Sequence, residues 1–114
     1  MAVFTERRVT SNPALIPPTG DRRRPAPPVD ARVEEAYWRS HYLREPYYER
    51  GYAFEDYLPA YRTGWEGRVR YHARTFEQAE RELARDYQRN RGASPLDWRR
   101  NRHAARAAWE RFDH

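Results

Sequence analysis

The sequence predicts an all-α protein, a bundle of about four helices with an aromatic-rich core behind a disordered Pro/Arg-rich N-terminal arm. Three observations predict it. From residue 30 onward, aromatic and alanine residues recur at helical spacing. The boundaries between these runs carry helix-capping residues. Six of the nine prolines fall within residues 1–29, whose only aromatic residue is Phe4.

That first stretch is read as an arm. Pro13, Pro17, Pro18, Pro25, Pro27 and Pro28 fix φ and remove backbone donors, and Arg22, Arg23 and Arg24 lie between two of the proline clusters. It has too little apolar surface to offset the entropy of ordering it. The expected division is therefore 1–29 as arm and 30–114 as helical domain.

Asp30 offers an N-cap to the first helix, with Glu34 and Glu35 near the positive end of its dipole. Val33, Tyr37, His41 and Arg44 share one face, with Trp38 and Tyr42 beside it. The helix should end before Pro46, because the residue preceding proline avoids the α region. Residues 46–56 are aromatic without clear periodicity and read as an irregular connector. Asp56 is the expected cap of the second helix, with Pro59 in its first turn. Tyr57, Ala60, Tyr61, Gly64, Arg68 and Tyr71 then follow helical spacing. Gly64 and Gly67 weaken that helix by about 1 kcal/mol each relative to alanine, unless they serve a close approach.

Thr75-Phe76-Glu77-Gln78 is a capping box opening the third helix. Phe76, Ala79, Leu83 and Tyr87 form its expected buried stripe, and Gly92 its C-terminal cap. Ser94 is the expected cap of the fourth helix, with Pro95 at its first position. Trp98, Arg102, Ala105, Trp109 and Phe112 recur along it.

At 114 residues there is room for one domain. Hydrophobic residues make up 39%, charged residues 34%, and mean hydropathy is −1.24, which is polar for a folded chain. Aromatics nevertheless reach 15%, which argues against disorder throughout. The 22 basic residues are all arginine. Arginine stacks on aromatic rings and forks onto carboxylates or phosphates. Cysteine is absent, so disulfides and thiolate zinc sites are excluded. No apolar run resembles a signal-peptide core or a membrane span, and the expected location is cytoplasmic.

Residues 30–114 contain only six branched aliphatics against 16 aromatics. The core must be built from rings, and rings left outside it form an adhesive surface. The tyrosines between residues 42 and 61 (Tyr42, Tyr47, Tyr48, Tyr52, Tyr57 and Tyr61) are the candidate partner-binding set. Charge alternates along the chain. Residues 1–29 carry five arginines against Glu6 and Asp21, residues 30–58 four against seven acids, and residues 59–114 thirteen against eight. Such a molecule can pair head to tail with copies of itself. Arg99, Arg100, Arg102, His103 and Arg106 make a basic stretch, and Arg68, Arg70 and Arg74 another. With Arg22, Arg23 and Arg24, the arginines Arg99, Arg100, Arg102 and Arg106 are the candidate sites for phosphate or an acidic partner.

Catalytic and metal chemistry find little support. His41 and Glu45 are an i,i+4 pair without further ligands. Glu77, Glu80, Glu82 and Asp86 interleave with Arg81, Arg85 and Arg89 as a solvated, ion-paired face. Of the three serines, Ser94 is explained as a cap, and neither Ser11 nor Ser40 belongs to a recognisable nucleophile-plus-base motif. No cofactor and no small-molecule substrate are expected.

The runs Tyr37-Trp38-Arg39, Glu45-Pro46-Tyr47 and Phe54-Glu55-Asp56-Tyr57-Leu58-Pro59-Ala60-Tyr61-Arg62-Thr63-Gly64 resemble a family of small uncharacterised bacterial proteins. So do Arg91-Gly92-Ala93-Ser94-Pro95-Leu96-Asp97-Trp98 and Ala105-Arg106-Ala107-Ala108-Trp109. The resemblance covers roughly residues 36–111 and leaves out the arm. It implies a stress-associated protein and carries over no catalytic residues. The expected function is thus a non-enzymatic interaction protein that self-associates or binds a partner. The alternative is non-specific nucleic-acid binding through the arm and the last helix.

Overall fold

The computed structural model describes residues 26–113, so residues 1–25 of the expected arm, with Arg22, Arg23 and Arg24, lie outside the described residues, while Val29 near the arm's end packs against the core. Four α-helices follow in order: α1 (Ala31–His41), α2 (Phe54–Arg70), α3 (Phe76–Asn90) and α4 (Trp98–Glu110). A 3₁₀ turn, Tyr42–Arg44, continues α1, and another, Arg111–Asp113, continues α4. No strand occurs among the described residues.

α1 begins as the sequence predicts, with the Asp30 carboxylate accepting from the Arg32 amide at 3.0 Å. Its 3₁₀ extension stops at Glu45, which is extended (ψ 143°) as the residue before Pro46 requires. Trp38 and, one turn earlier, Glu34 face inward, while Val33 is 53% exposed. The indole, with the larger area to bury, decides which face docks.

α2 starts three residues earlier than expected. Ala53 is the N-cap and Asp56 the third helical residue, its carboxylate accepting from the Ala53 amide at 2.9 Å. Asp56 therefore supplies the acidic half of a capping box rather than the cap itself. Pro59 consequently lies inside the helix, and the Glu55 carbonyl, on an exposed residue, loses its intrahelical donor.

α3 follows the sequence reading closely. The Thr75 hydroxyl accepts from the Gln78 amide at 3.1 Å, and the Gln78 side chain accepts from the Thr75 amide at 2.9 Å. Phe76, Ala79, Leu83 and Tyr87 are buried, and Gly92 takes the left-handed conformation (φ +57°) just past the helix.

α4 differs at its start. Asp97, not Ser94, caps it, accepting from the Arg100 amide at 2.9 Å. Ser94 is buried, and its hydroxyl donates to the Asp56 carbonyl at 2.6 Å. The helix buries Asn101, Ala104, Ala105, Ala108 and Trp109, whereas Trp98, Arg102 and Phe112 are only partly covered. The stripe is rotated from the aromatic line toward the alanines because α2 approaches closely there. A Cβ placed on Gly64 would lie 2.2 Å from the Ala105 carbonyl oxygen and 2.8 Å from the Ala108 Cβ.

α2 is the central element and packs on each of the other helices, most extensively on α4. The core it organises is aromatic, as the composition requires. Trp38 stacks on Tyr61 at 4.5 Å and 10°, and Phe54 lies 6.0 Å from Tyr61. Trp109 meets Phe76 edge-on at 5.8 Å. Such pairs add about 0.5–1.5 kcal/mol each beyond burial of their area. A polar knot joins three helices: Asn101 Nδ2 donates to the Asp56 carbonyl (3.1 Å) and the Tyr87 hydroxyl (2.9 Å), and Tyr87 donates to the Leu96 carbonyl (2.5 Å).

Candidate functional site

Between residues 45 and 53 the chain turns twice on itself, with Tyr48 N–H donating to the Glu45 carbonyl and Tyr52 N–H to that of Glu49. Gly51, at φ +99°, permits the second turn. Two phenols of α2 hold this connector in place. The Tyr57 hydroxyl accepts from the Glu49 amide at 2.9 Å, and the Tyr61 hydroxyl lies 2.7 Å from that of Tyr47. Burial pushes the Tyr47, Tyr57 and Tyr61 phenols up, and at Tyr47 the neighbouring Tyr61 oxygen adds to the effect.

The connector so fixed faces the N-terminal half of α4 across a cleft of about 580 Å³. Pro46, Tyr47, Tyr48 and Glu49 form one wall; Arg99, Arg100 and His103 form the other. Arg100 crosses the gap, its guanidinium 2.6 Å from the Glu49 carboxylate and 5.4 Å from the centre of the Tyr52 ring. Arg99 and His103 are exposed and make no ion pair among the described residues.

The candidate residues therefore separate. Tyr47, Tyr48, Arg99 and Arg100 meet at the cleft, and Tyr52 lies beneath Arg100. Tyr42 is half-buried behind this wall, 5.6 Å from Tyr48 and 5.4 Å from Phe54. Tyr57 and Tyr61 are 2% and 0% exposed and form part of the core rather than the surface. Their helical spacing on α2 marked them as readily for burial as for contact.

Arg102 and Arg106 take another role. Arg102 grips Glu80 with both Nε (2.6 Å) and Nη2 (2.8 Å), and the Trp98 indole N–H adds a bond at 3.2 Å. The Arg102 guanidinium, then that indole, hold the Glu80 carboxyl below the usual carboxylate range. Arg106 pairs with Glu110 at 2.8 Å and with Glu77. In the other basic stretch, Arg68 is buried, Arg70 pairs with Asp86 at 3.1 Å and Arg74 with Glu82 at 2.9 Å.

The acidic face expected on α3 is thus partly inter-helical. Asp86 is buried and also accepts from the Tyr71 hydroxyl at 2.8 Å, while Arg89 keeps its expected pairing with it. Glu77 reaches Arg106 on α4. His41 Nδ1 lies 2.6 Å from the Tyr37 carbonyl within its own helix. Among the described residues, no three His, Asp or Glu side chains converge to hold a metal ion, and no helix is long and apolar enough to cross a membrane.

Glu49 is the cleft residue that the sequence reading passed over. It lies 51 positions from Arg100, and neither residue carries a local signal of the other. No family model matches the chain, and neither a curated protein nor a solved structure matches it.

Proposed function

We propose that this chain is a non-enzymatic binding protein whose working surface is the cleft between Tyr47–Tyr48 and Arg99–Arg100–His103. It engages another protein chain, a partner or a second copy, as a cytoplasmic accessory. One observation carries the reading. An aromatic wall and an arginine wall share a single cleft, and Arg99 there has no ion pair among the described residues, while Arg102, Arg106 and Arg111 on and just beyond the same helix each hold a carboxylate. Tyrosine and arginine, with tryptophan, are enriched where protein interfaces concentrate their binding energy. The resemblance to small stress-associated bacterial proteins supports expression under stress.

Non-specific nucleic-acid binding is the second reading, since phosphates suit Arg99 and Arg100 and bases stack on tyrosine. It is the weaker of the two, because Glu80, Glu77 and Glu110 neutralise the Arg102 and Arg106 that would extend a phosphate track.

The test is site-specific photo-crosslinking in cells, with a benzoylphenylalanine at position 48 and a control at exposed position 81. A discrete protein adduct from position 48, absent from 81 and diminished by Arg99→Gln, is the expected result. Equal yields at the two positions, or none at 48, overturn the reading.

A further inference from the structure

We infer that the cleft receives an acidic peptide segment of a partner protein, and that Glu49 occupies its carboxylate position until that segment displaces it. The inference rests on the cleft being the binding surface and names the chemistry of what enters it.

The cleft already contains one carboxylate in the place a ligand would use. Glu49 accepts from Arg100 at 2.6 Å, and both side chains remain about half exposed (47% and 44%). A pair so open to water is weak and exchanges readily. Beside it Arg99 and His103 stand without a carboxylate among the described residues, so the positive wall exceeds the one acid that faces it.

The backbone adds to the conflict. Arg99 and Arg100 occupy the second and third positions of α4, at the positive end of its dipole, where the carboxylate present is the Asp97 cap, engaged with the Arg100 amide. Basic side chains there are unfavourable for the helix itself, and such local conflicts concentrate at working sites. Arg100 is also held against the Tyr52 ring, so its guanidinium keeps its position when the carboxylate opposite changes.

The opposite wall selects peptide over a bare anion. Pro46, Tyr47 and Tyr48 offer apolar and aromatic contact, and the volume of about 580 Å³ matches a few residues of extended chain. A segment with two acidic side chains would satisfy Arg99 with one and replace Glu49 on Arg100 with the other. A nucleic-acid backbone fits less well, because the arginines beyond the cleft that would extend a phosphate track are occupied.

The experiment is fluorescence anisotropy of the full chain with a labelled short peptide of alternating Asp, Glu and Tyr. A Gln/Ser/Tyr peptide and a single-stranded oligothymidylate serve as comparators. Glu49→Gln is expected to tighten acidic-peptide binding about threefold, and Arg99→Gln to weaken it about threefold, the scale of one exposed ion pair. Both changes are on exposed side chains, and unchanged helical circular dichroism confirms the fold. The inference is overturned if Glu49→Gln leaves affinity unchanged or lowers it, or if oligothymidylate binds more tightly than the acidic peptide. It is also overturned if Glu49→Gln raises the sedimentation mass, since a second copy then takes the cleft. A persistent adduct from position 48 with no acidic-peptide binding removes the ligand class and leaves the binding surface standing. Loss of both removes both.

Discussion

The hydroxyls of Tyr47, on the connector, and Tyr61, in the core of α2, lie 2.7 Å apart and hold the aromatic wall of the cleft to the central helix. Tyr61 is wholly buried, so its phenol has little recourse to water if Tyr47 is lost.

Alkaline pH should therefore loosen the connector. Both phenols are pushed above the ordinary tyrosine range, chiefly by burial. Their contribution is fully present below the unfolded-state pKa of about 10 and is lost as pH rises toward the folded values. Absorbance titration should show these two tyrosines ionising only with unfolding. Tyr47→Phe or Tyr61→Phe should each cost about 1 kcal/mol, and the double variant less than their sum. Additive costs would mean that the hydroxyls are not coupled.

Gly64→Ala should destabilise the domain by about 1–3 kcal/mol in urea titrations, although alanine favours an isolated helix by about 1 kcal/mol. The added methyl meets backbone, the Ala105 carbonyl oxygen at 2.2 Å, which cannot rotate away. At Gly67 the nearest atom is the Leu83 Cδ2 at 2.3 Å, the end of a side chain that can adopt another rotamer. Gly67→Ala should therefore cost less than Gly64→Ala, and the reverse order would place the tight crossing elsewhere.

Glu34 and Arg111 make the ion pair that joins α1 to the end of α4. The carboxylate is 4% exposed, it accepts from Arg111 Nε at 3.0 Å, and the guanidinium stacks 3.7 Å from the Tyr37 ring centre. Arg111→Met leaves a buried acid without its partner and should cost about 3 kcal/mol. The double change Glu34→Met with Arg111→Met should recover most of that loss by thermal or urea denaturation. Equal losses for the single and double variants would show that packing, not charge, dominates there.

Ser94 and Asp97 should behave differently when changed to alanine. Ser94→Ala removes a buried hydroxyl bonded to the Asp56 carbonyl and should cost about 1 kcal/mol globally. Asp97→Ala removes the true cap and should raise amide exchange in the first turn of α4 at a similar cost. Fraying caused by Ser94→Ala instead would restore the sequence-based assignment of the cap.

Much of the architecture was legible because its signals are local. The capping box at Thr75–Gln78, the stripe Phe76–Ala79–Leu83–Tyr87 and the left-handed Gly92 each depend on neighbours within one or two turns. The misread helix starts share one cause. Asp56 and Ser94 are good caps by type, yet Asp56 acts from inside the helix and the Ser94 hydroxyl is engaged 38 residues away. The cleft was half legible. Tyr47, Tyr48, Arg99 and Arg100 were identified by residue type, but their meeting is tertiary, as is the capture of Arg102 and Arg106 by α3. The Arg106–Glu110 pair, four residues apart, was the local part of that pattern.

The close seating of Gly64 against Ala105 has a bearing on how the polypeptide is made. During synthesis α2 emerges well before α4, yet its main docking surface is supplied by that later helix. Until α4 arrives, the face of α2 that it covers stands open, and exposed apolar surface of this kind promotes aggregation. Shortening the chain before Trp109 should therefore produce inclusion bodies rather than a smaller working protein.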